Sequence, residues 1–136
     1  MQQTRRAVEA IRSIDPTIVV EGEIGNMHGL LTSMVRGEAQ KRLDVQRIKA
    51  IKEEARVPIT LHGGSGTNDG DLRQAIKAGI TIVHINTELR VAWRRGLEEG
   101  LSKEPDEVVP YKILPFAVKS VEEVARSRLA LFHAAG

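Results

Sequence analysis

The chain has no cysteine among its 136 residues, so disulfides and thiolate metal ligands are excluded and any metal must be held by nitrogen and oxygen donors. Long apolar runs are also missing. Hydrophobic stretches are short and broken by charge, and none approaches the ~20 residues that a membrane span needs. No signal-peptide pattern stands at Met1, and the expected compartment is the cytoplasm. Blocks of like charge do not occur either: 20 Lys and Arg against 18 Asp and Glu are scattered along expected helices, which is the pattern of solvated helix faces and not of a nucleic-acid surface. There is no internal repeat or low-complexity segment. With 41% hydrophobic residues, a chain of this length predicts a single packed domain over 1–136.

What is present is an alternation of helix and strand signals. Ala7, Ala10, Ile11 and Ile14 lie at helical spacing, and Asp15-Pro16 ends that helix because proline disfavours a helical conformation in the residue before it. The β-branched run Thr17-Ile18-Val19-Val20 predicts a strand buried on both faces, running into Glu21-Gly22-Glu23-Ile24-Gly25. From 26 to 42 no periodicity emerges and Gly29 and Gly37 interrupt it, which predicts a long loop. Asp44 then caps a helix to about Ala55, and Ile59-Thr60-Leu61 is the second strand. A helix from Asp69 to Ala78 lies between Asn68 as N-cap and Gly79, Ile80 to Ile85 form the third strand, and a helix from Leu89 to Glu99 stops at Gly100. Ser120-Val121-Glu122-Glu123 reads as a capping box opening a last helix to Phe132. Three strands of parallel-sheet type alternating with helices predict an α/β fold. A closed eight-stranded barrel takes ~250 residues, so the chain is about half of one.

The segment richest in chemistry is Leu61-His62-Gly63-Gly64-Ser65-Gly66, where a buried strand delivers a histidine and three glycines to one loop just before a helix. Glycines let backbone N–H groups approach an anion closely, and the next helix adds its positive N-terminal dipole; an ordinary strand-to-helix turn would carry the same glycines. His28, in Asn26-Met27-His28-Gly29, repeats the His-Gly step. A lone histidine of either kind is more often a hydrogen-bonded structural residue than a ligand, but a pair after strand positions points to a shared site. Glu21 and Glu23 share one side of an extended strand, which suits a cation nearby or, equally, a solvated strand end. Asn86-Thr87-Glu88 is a polar cluster at the third strand's end that capping alone would explain. His84, between Val83 and Ile85, either faces an interior or packs in a layer, while Trp93 and Phe116 read as packing residues.

In this order, Glu21–Gly25, Asn26–Gly29, His62–Gly66 and Asn86–Glu88, with Val109-Pro110-Tyr111 beyond them, resemble segments of the class II, zinc-dependent fructose-bisphosphate aldolases over essentially the whole chain. The resemblance implies a lyase fold of the (β/α)8 TIM-barrel type, of which this chain is the C-terminal half, and a glycolytic reaction. In that reaction fructose 1,6-bisphosphate, or the related tagatose bisphosphate, is cleaved reversibly to dihydroxyacetone phosphate and glyceraldehyde 3-phosphate. It implies a phosphorylated ketose as partner and a homo-oligomer for the full-length family, with no nucleic acid and no membrane. Carried over by motif, His28, His62 and Glu23 resemble zinc-binding positions, while Gly29, Gly63, Gly64, Ser65, His84, Asn86 and Thr87 resemble the dihydroxyacetone phosphate site. His84 stands where relatives often have asparagine. The chain carries no residue resembling the family's proton donor, so no catalytic residue is assigned. Gly25 joins Asn26 where relatives have a long intervening segment, so a deletion junction is expected at 25–26. The alternative to an aldolase is a non-catalytic fragment retaining a phosphate- or metal-binding half-site. A different phosphate-binding half-barrel would account for the glycine-rich loop but not for the paired His-Gly steps.

Overall fold

A computed structural model describes residues 2–25 and 42–134. Its elements run α1 (Gln2–Ile14), β1 (Gly22–Gly25), α2 (Val45–Ala55), β2 (Ile59–His62), α3 (Asp69–Lys77), β3 (Ile80–Val83), α4 (Thr87–Lys103) and α5 (Pro110–His133). The strands form one parallel sheet in the order β1-β2-β3. Gly22 pairs with Ile59 and Gly25 with His62, and a shift between Ile59 and Thr60 sets Thr60 opposite Ile82 and Leu61 opposite Val83. This is an α/β chain with the layering of a partial (β/α)8 barrel.

Alternation along β2 divides its side chains between the two faces of the sheet. Ile59 and Leu61 enter the core with Ile48 and Ala55 of α2, Val57, Leu72 and Ala75 of α3, and Ile80 of β3. Val8 of α1 and Leu131 of α5 join the same cluster, so both ends of the described chain close on one core. Leu72 is fully buried, a burial that contributes about 1.5–3 kcal/mol. Thr60 and His62 take the opposite face. Thr60 is fully buried there, and its hydroxyl donates to Glu21 Oε2 at 3.0 Å.

Caps set the helix starts. The Asp44 side chain accepts from the Arg47 amide at 2.9 Å, and that of Asn68 accepts from Gly70 and Asp71. Asp71, buried in the first turn of α3, accepts from Arg42 Nε at 2.8 Å and from the Leu43 amide at 2.9 Å, tying the approach to α2 onto α3. The Arg42 bond, followed by that of Leu43, holds the Asp71 carboxyl below its usual range. Among the described residues no helix is long and apolar enough to cross a membrane.

Several elements depart from the sequence-based expectations. The run Thr17–Val20 is not a strand. Asp15 turns the chain by accepting from both the amide and the hydroxyl of Thr17, Val19 is 80% exposed, and pairing begins only at Gly22. In α1 the packing residue is Val8, with Ile11 half-buried, whereas Ala7, Ala10 and Ile14 face outward. Gly100 does not end a helix. The helix α4 continues to Lys103, and Gly96 and Gly100 lie against α5, where a Cβ on Gly96 would come within 2.6 Å of the Phe116 carbonyl oxygen. The last helix starts at Pro110 in its first turn, the position where a missing N–H costs least, and so Ser120–Glu123 is mid-helix and not a cap. Trp93 is half exposed on α4, while Phe116 does pack, against Gly100.

Candidate functional site

The β2 strand ends at His62, on the face that carries Glu21 and Glu23. His62 Nε2 lies 2.8 Å from Glu23 Oε1, across the β1–β2 pair. The nitrogen is buried, yet its hydrogen-bonding direction is not aimed at the carboxylate, so the pair is a close approach of a ring nitrogen and a carboxylate oxygen without a formed hydrogen bond. On its other side His62 meets His84 edge-on, with ring centroids 4.4 Å apart and planes at 85°. The His84 amide donates to the Leu61 carbonyl at 3.0 Å, which holds this crossing in place. Such closeness depends on Gly25 (φ 130°), where a Cβ would stand 2.2 Å from the His62 carbonyl oxygen. A ring nitrogen and a carboxylate oxygen are donor types that a divalent cation accepts, and they are two of the three or more protein ligands that such a site needs. Among the described residues no group of three or more histidine or acidic side chains is arranged for a metal.

The loop beyond His62 is organised by Ser65 and Glu88. Buried Ser65 accepts through Oγ from the amides of Asn86 (3.2 Å) and Glu88 (3.4 Å), so the N-terminus of α4 is capped by a hydroxyl from another loop and not by its own N-cap residue, Asn86. Glu88 Oε1 in turn accepts from the Gly66 amide at 2.8 Å, and the Thr67 amide donates to the Gly64 carbonyl. The amides of Gly63, Gly64 and Ser65 lie outside this set of bonds. A cavity of about 650 Å³ opens here, lined by His62, Gly63, Ser65, His84, Asn86 and Thr87, together with Arg90.

The structure therefore brings together most of the residues singled out from the sequence: Glu23, His62 and His84 in one cluster, and Gly63, Ser65, Asn86 and Thr87 around the adjoining cavity. Gly64 backs that cavity, packed so tightly on β3 that a Cβ would come within 2.8 Å of Val83 Cγ1. His28 and Gly29 lie outside the described residues, as does the whole segment 26–41. Arg90 was not anticipated. Its signal was available, since it follows Asn86 by one helical turn and so returns to the same end of α4. The capping role of Ser65 and an ion pair that Glu88 Oε2 makes with Arg128 Nε of α5 at 2.7 Å had no local signal, because the partners are far apart in the chain.

The family profile "Fructose-bisphosphate aldolase class-II" matches residues 22–136. The chain belongs to the class II fructose-bisphosphate aldolase family. Among curated members of that family, a fructose-bisphosphate aldolase of Ureaplasma parvum is 31% identical over an alignment of 115 positions that covers 81% of this chain and 38% of that protein. Among solved structures, the crystal structure of the YdjI aldolase from Escherichia coli superposes with a TM-score of 0.61 at 26% identity, covering 98% of this chain and 54% of that one. The chain thus spans about half, or less, of the length of these two aldolases. Within the matched region lie β1, β2, β3 and the site residues from Glu23 to Arg90.

Proposed function

We propose that this chain supplies the metal-binding and substrate-phosphate face of an aldolase that cleaves a ketose bisphosphate, fructose 1,6-bisphosphate or tagatose bisphosphate, to dihydroxyacetone phosphate and glyceraldehyde 3-phosphate. The observation that carries the proposal is the convergence of His62 Nε2 and Glu23 Oε1 at 2.8 Å on the rim of the glycine-lined cavity. His62, Glu23 and, from outside the described residues, His28 are the groups that would hold zinc. When bound, zinc supplies Lewis-acid polarisation of a substrate oxygen. His84, edge-on to His62, keeps that ring in orientation. Gly63 and Ser65 line the cavity beside the start of α4, where the helix dipole favours a phosphate that loop amides would meet, and Arg90 adds a cation. Gly29 joins this phosphate site in the proposal, with the side chains of Asn86 and Thr87 orienting the bound triose.

The proposal keeps the junction at 25–26, a homo-oligomeric glycolytic enzyme in the cytoplasm as the biological setting, and a partial barrel as the working unit of this chain. Zinc titration is the direct test. Wild type should bind zinc, and His62→Ala should weaken binding at least ~10-fold, because a site built from few ligands tolerates the loss of one poorly. Equal zinc affinity in the two proteins would remove the metal reading. The isolated 136-residue chain should show no measurable bisphosphate cleavage even with zinc, and cleavage should appear on mixing with a separately made N-terminal half of an aldolase barrel. Full turnover by the chain alone would overturn the partial-barrel part of the proposal, and binding without turnover in the mixture would favour the non-catalytic half-site.

A further inference from the structure

Behind the candidate phosphate loop, on the side away from His62, one acidic residue holds both segments that shape the cavity. The backbone amide of Glu88 donates to Ser65 Oγ at 3.4 Å, and its carboxylate Oε1 accepts from the Gly66 amide at 2.8 Å. Glu88 therefore couples the Gly63–Gly66 loop to the Asn86–Glu88 turn. Its other oxygen, Oε2, is 2.7 Å from Nε of Arg128, which reaches in from α5 and also donates through Nη1 to Asp69 Oδ1, at the start of α3, at 2.6 Å. The Glu88 side chain is 10% exposed and that of Arg128 21%, so this is a largely buried ion pair. The Nε–H is not aimed at Oε2, and both atoms are buried without an aligned partner, so the contact between them is one of charge.

We infer that Arg128 is a positioning residue for the candidate phosphate site, acting through Glu88 and Asp69. The inference rests on the proposed reading of that site. Opposite charges in a water-poor setting attract far more strongly than on an open surface, and a buried carboxylate that loses its partner is driven to move or to be solvated. A cavity of about 440 Å³ lies between the loop and α5, lined by Gly66, Thr67, Glu88, Arg95, Ser127 and Arg128 among others. At this level α5 reaches the loop through charge, whereas further along it packs directly on Gly96 and Gly100 of α4. With Arg128 in place, Glu88 is held against the Gly66 amide and the loop keeps one shape. Without it, Glu88 turns toward water in the cavity and releases Gly66.

The test uses the isotope-labelled 136-residue chain, with hydrogen exchange of the Gly66 amide and titration with inorganic phosphate as its two readouts. Arg128→Met should speed Gly66 exchange about tenfold, the loss expected when a hydrogen bond to a charged group is released, and weaken phosphate binding by a similar factor. Arg128→Lys, which restores the charge but cannot span Glu88 and Asp69 together, should recover part of both effects. In a Glu88→Gln background, Arg128→Met should add little, because the two residues act as one unit. Arg126→Met, which removes only an exposed pair with Glu122, should change neither readout. Unchanged Gly66 exchange in a folded Arg128→Met chain would overturn the inference, and so would additive losses in the double variant. If Arg128→Met does not fold, Arg128→Lys decides by the same readouts: wild-type exchange overturns the clamp, and intermediate exchange supports it. If wild type binds no phosphate, the phosphate reading falls by itself, and Gly66 exchange still decides whether Arg128 positions the loop.

Discussion

The neighbouring strands β1 and β2 belong to one parallel sheet yet differ in almost every physical respect. The β2 strand lies between two partners, with Ile59, Thr60 and Leu61 buried, and delivers His62 into a loop pinned by Ser65 and Glu88. The β1 strand, Gly-Glu-Ile-Gly, pairs on one side only among the described residues, and Glu23 stays 60% exposed. What the contrast teaches is that β-forming residue type does not by itself decide where a strand lies. Thr17–Val20 has a stronger β-branched composition than β1 but remains unpaired, while the glycines of β1 allow the backbone approach that sets Glu23 beside His62.

The contrast is most sharply broken in the centre of the sheet. Leu61→Ala removes a side chain that is 2% exposed and should cost about 2–5 kcal/mol in urea unfolding. A loss below that range would mean that β2 is no better supported than β1. Gly25→Ala comes next, with an expected loss of about 1–3 kcal/mol, since a Cβ there meets backbone and cannot be relieved by a rotamer change. The same substitution should weaken zinc binding by moving Glu23 away from His62, so wild-type zinc affinity in this variant would show that the strand-end approach does not shape the site.

A third effect is confined to acid. The folded-state pKa of Asp71 is depressed, chiefly by the Arg42 bond, so its stabilisation is present above the ordinary carboxylate value, near pH 4, and is lost as the pH falls through the lowered one. Asp71→Asn should therefore flatten the acid limb of the stability curve and leave its slope unchanged near neutrality; an unaltered acid limb would count against the Arg42–Asp71 tie. Val19→Ser should change stability least, within about 0.5 kcal/mol, because Val19 is 80% exposed. A larger loss would show that the run before β1 is covered after all.

Much of the candidate site is legible because its residues announce themselves locally. His62 and the glycines follow a compact apolar strand, Asn86-Thr87-Glu88 follows another, and helix starts at Asp44 and Asn68 were marked by their capping residues. Errors fell where a local signal had two physical uses. Gly100 could end a helix or admit a neighbouring backbone, and the second use prevailed because α5 packs there. Ser120 and Glu123 match a capping box in spacing, but Pro110 had already opened the helix ten residues earlier. At Thr17–Val20 a strand pattern was present, and the Asp15 turn diverted the chain before pairing could begin.

By itself the sequence determined the α/β alternation, the parallel character of the strands, the family, and the identity of the polar residues at the strand ends, since each of these is written in short-range patterns of apolar, glycine and capping residues. Only the tertiary structure decided which of those polar residues meet. Glu23 reaches His62 because Gly25 pairs with His62 in register, and Ser65 caps a helix that begins more than twenty residues later. Arg128 faces Glu88 and Asp69 because α5 folds back along α4. Distances of this kind depend on strand register and helix packing, which are long-range properties that no window of local sequence contains.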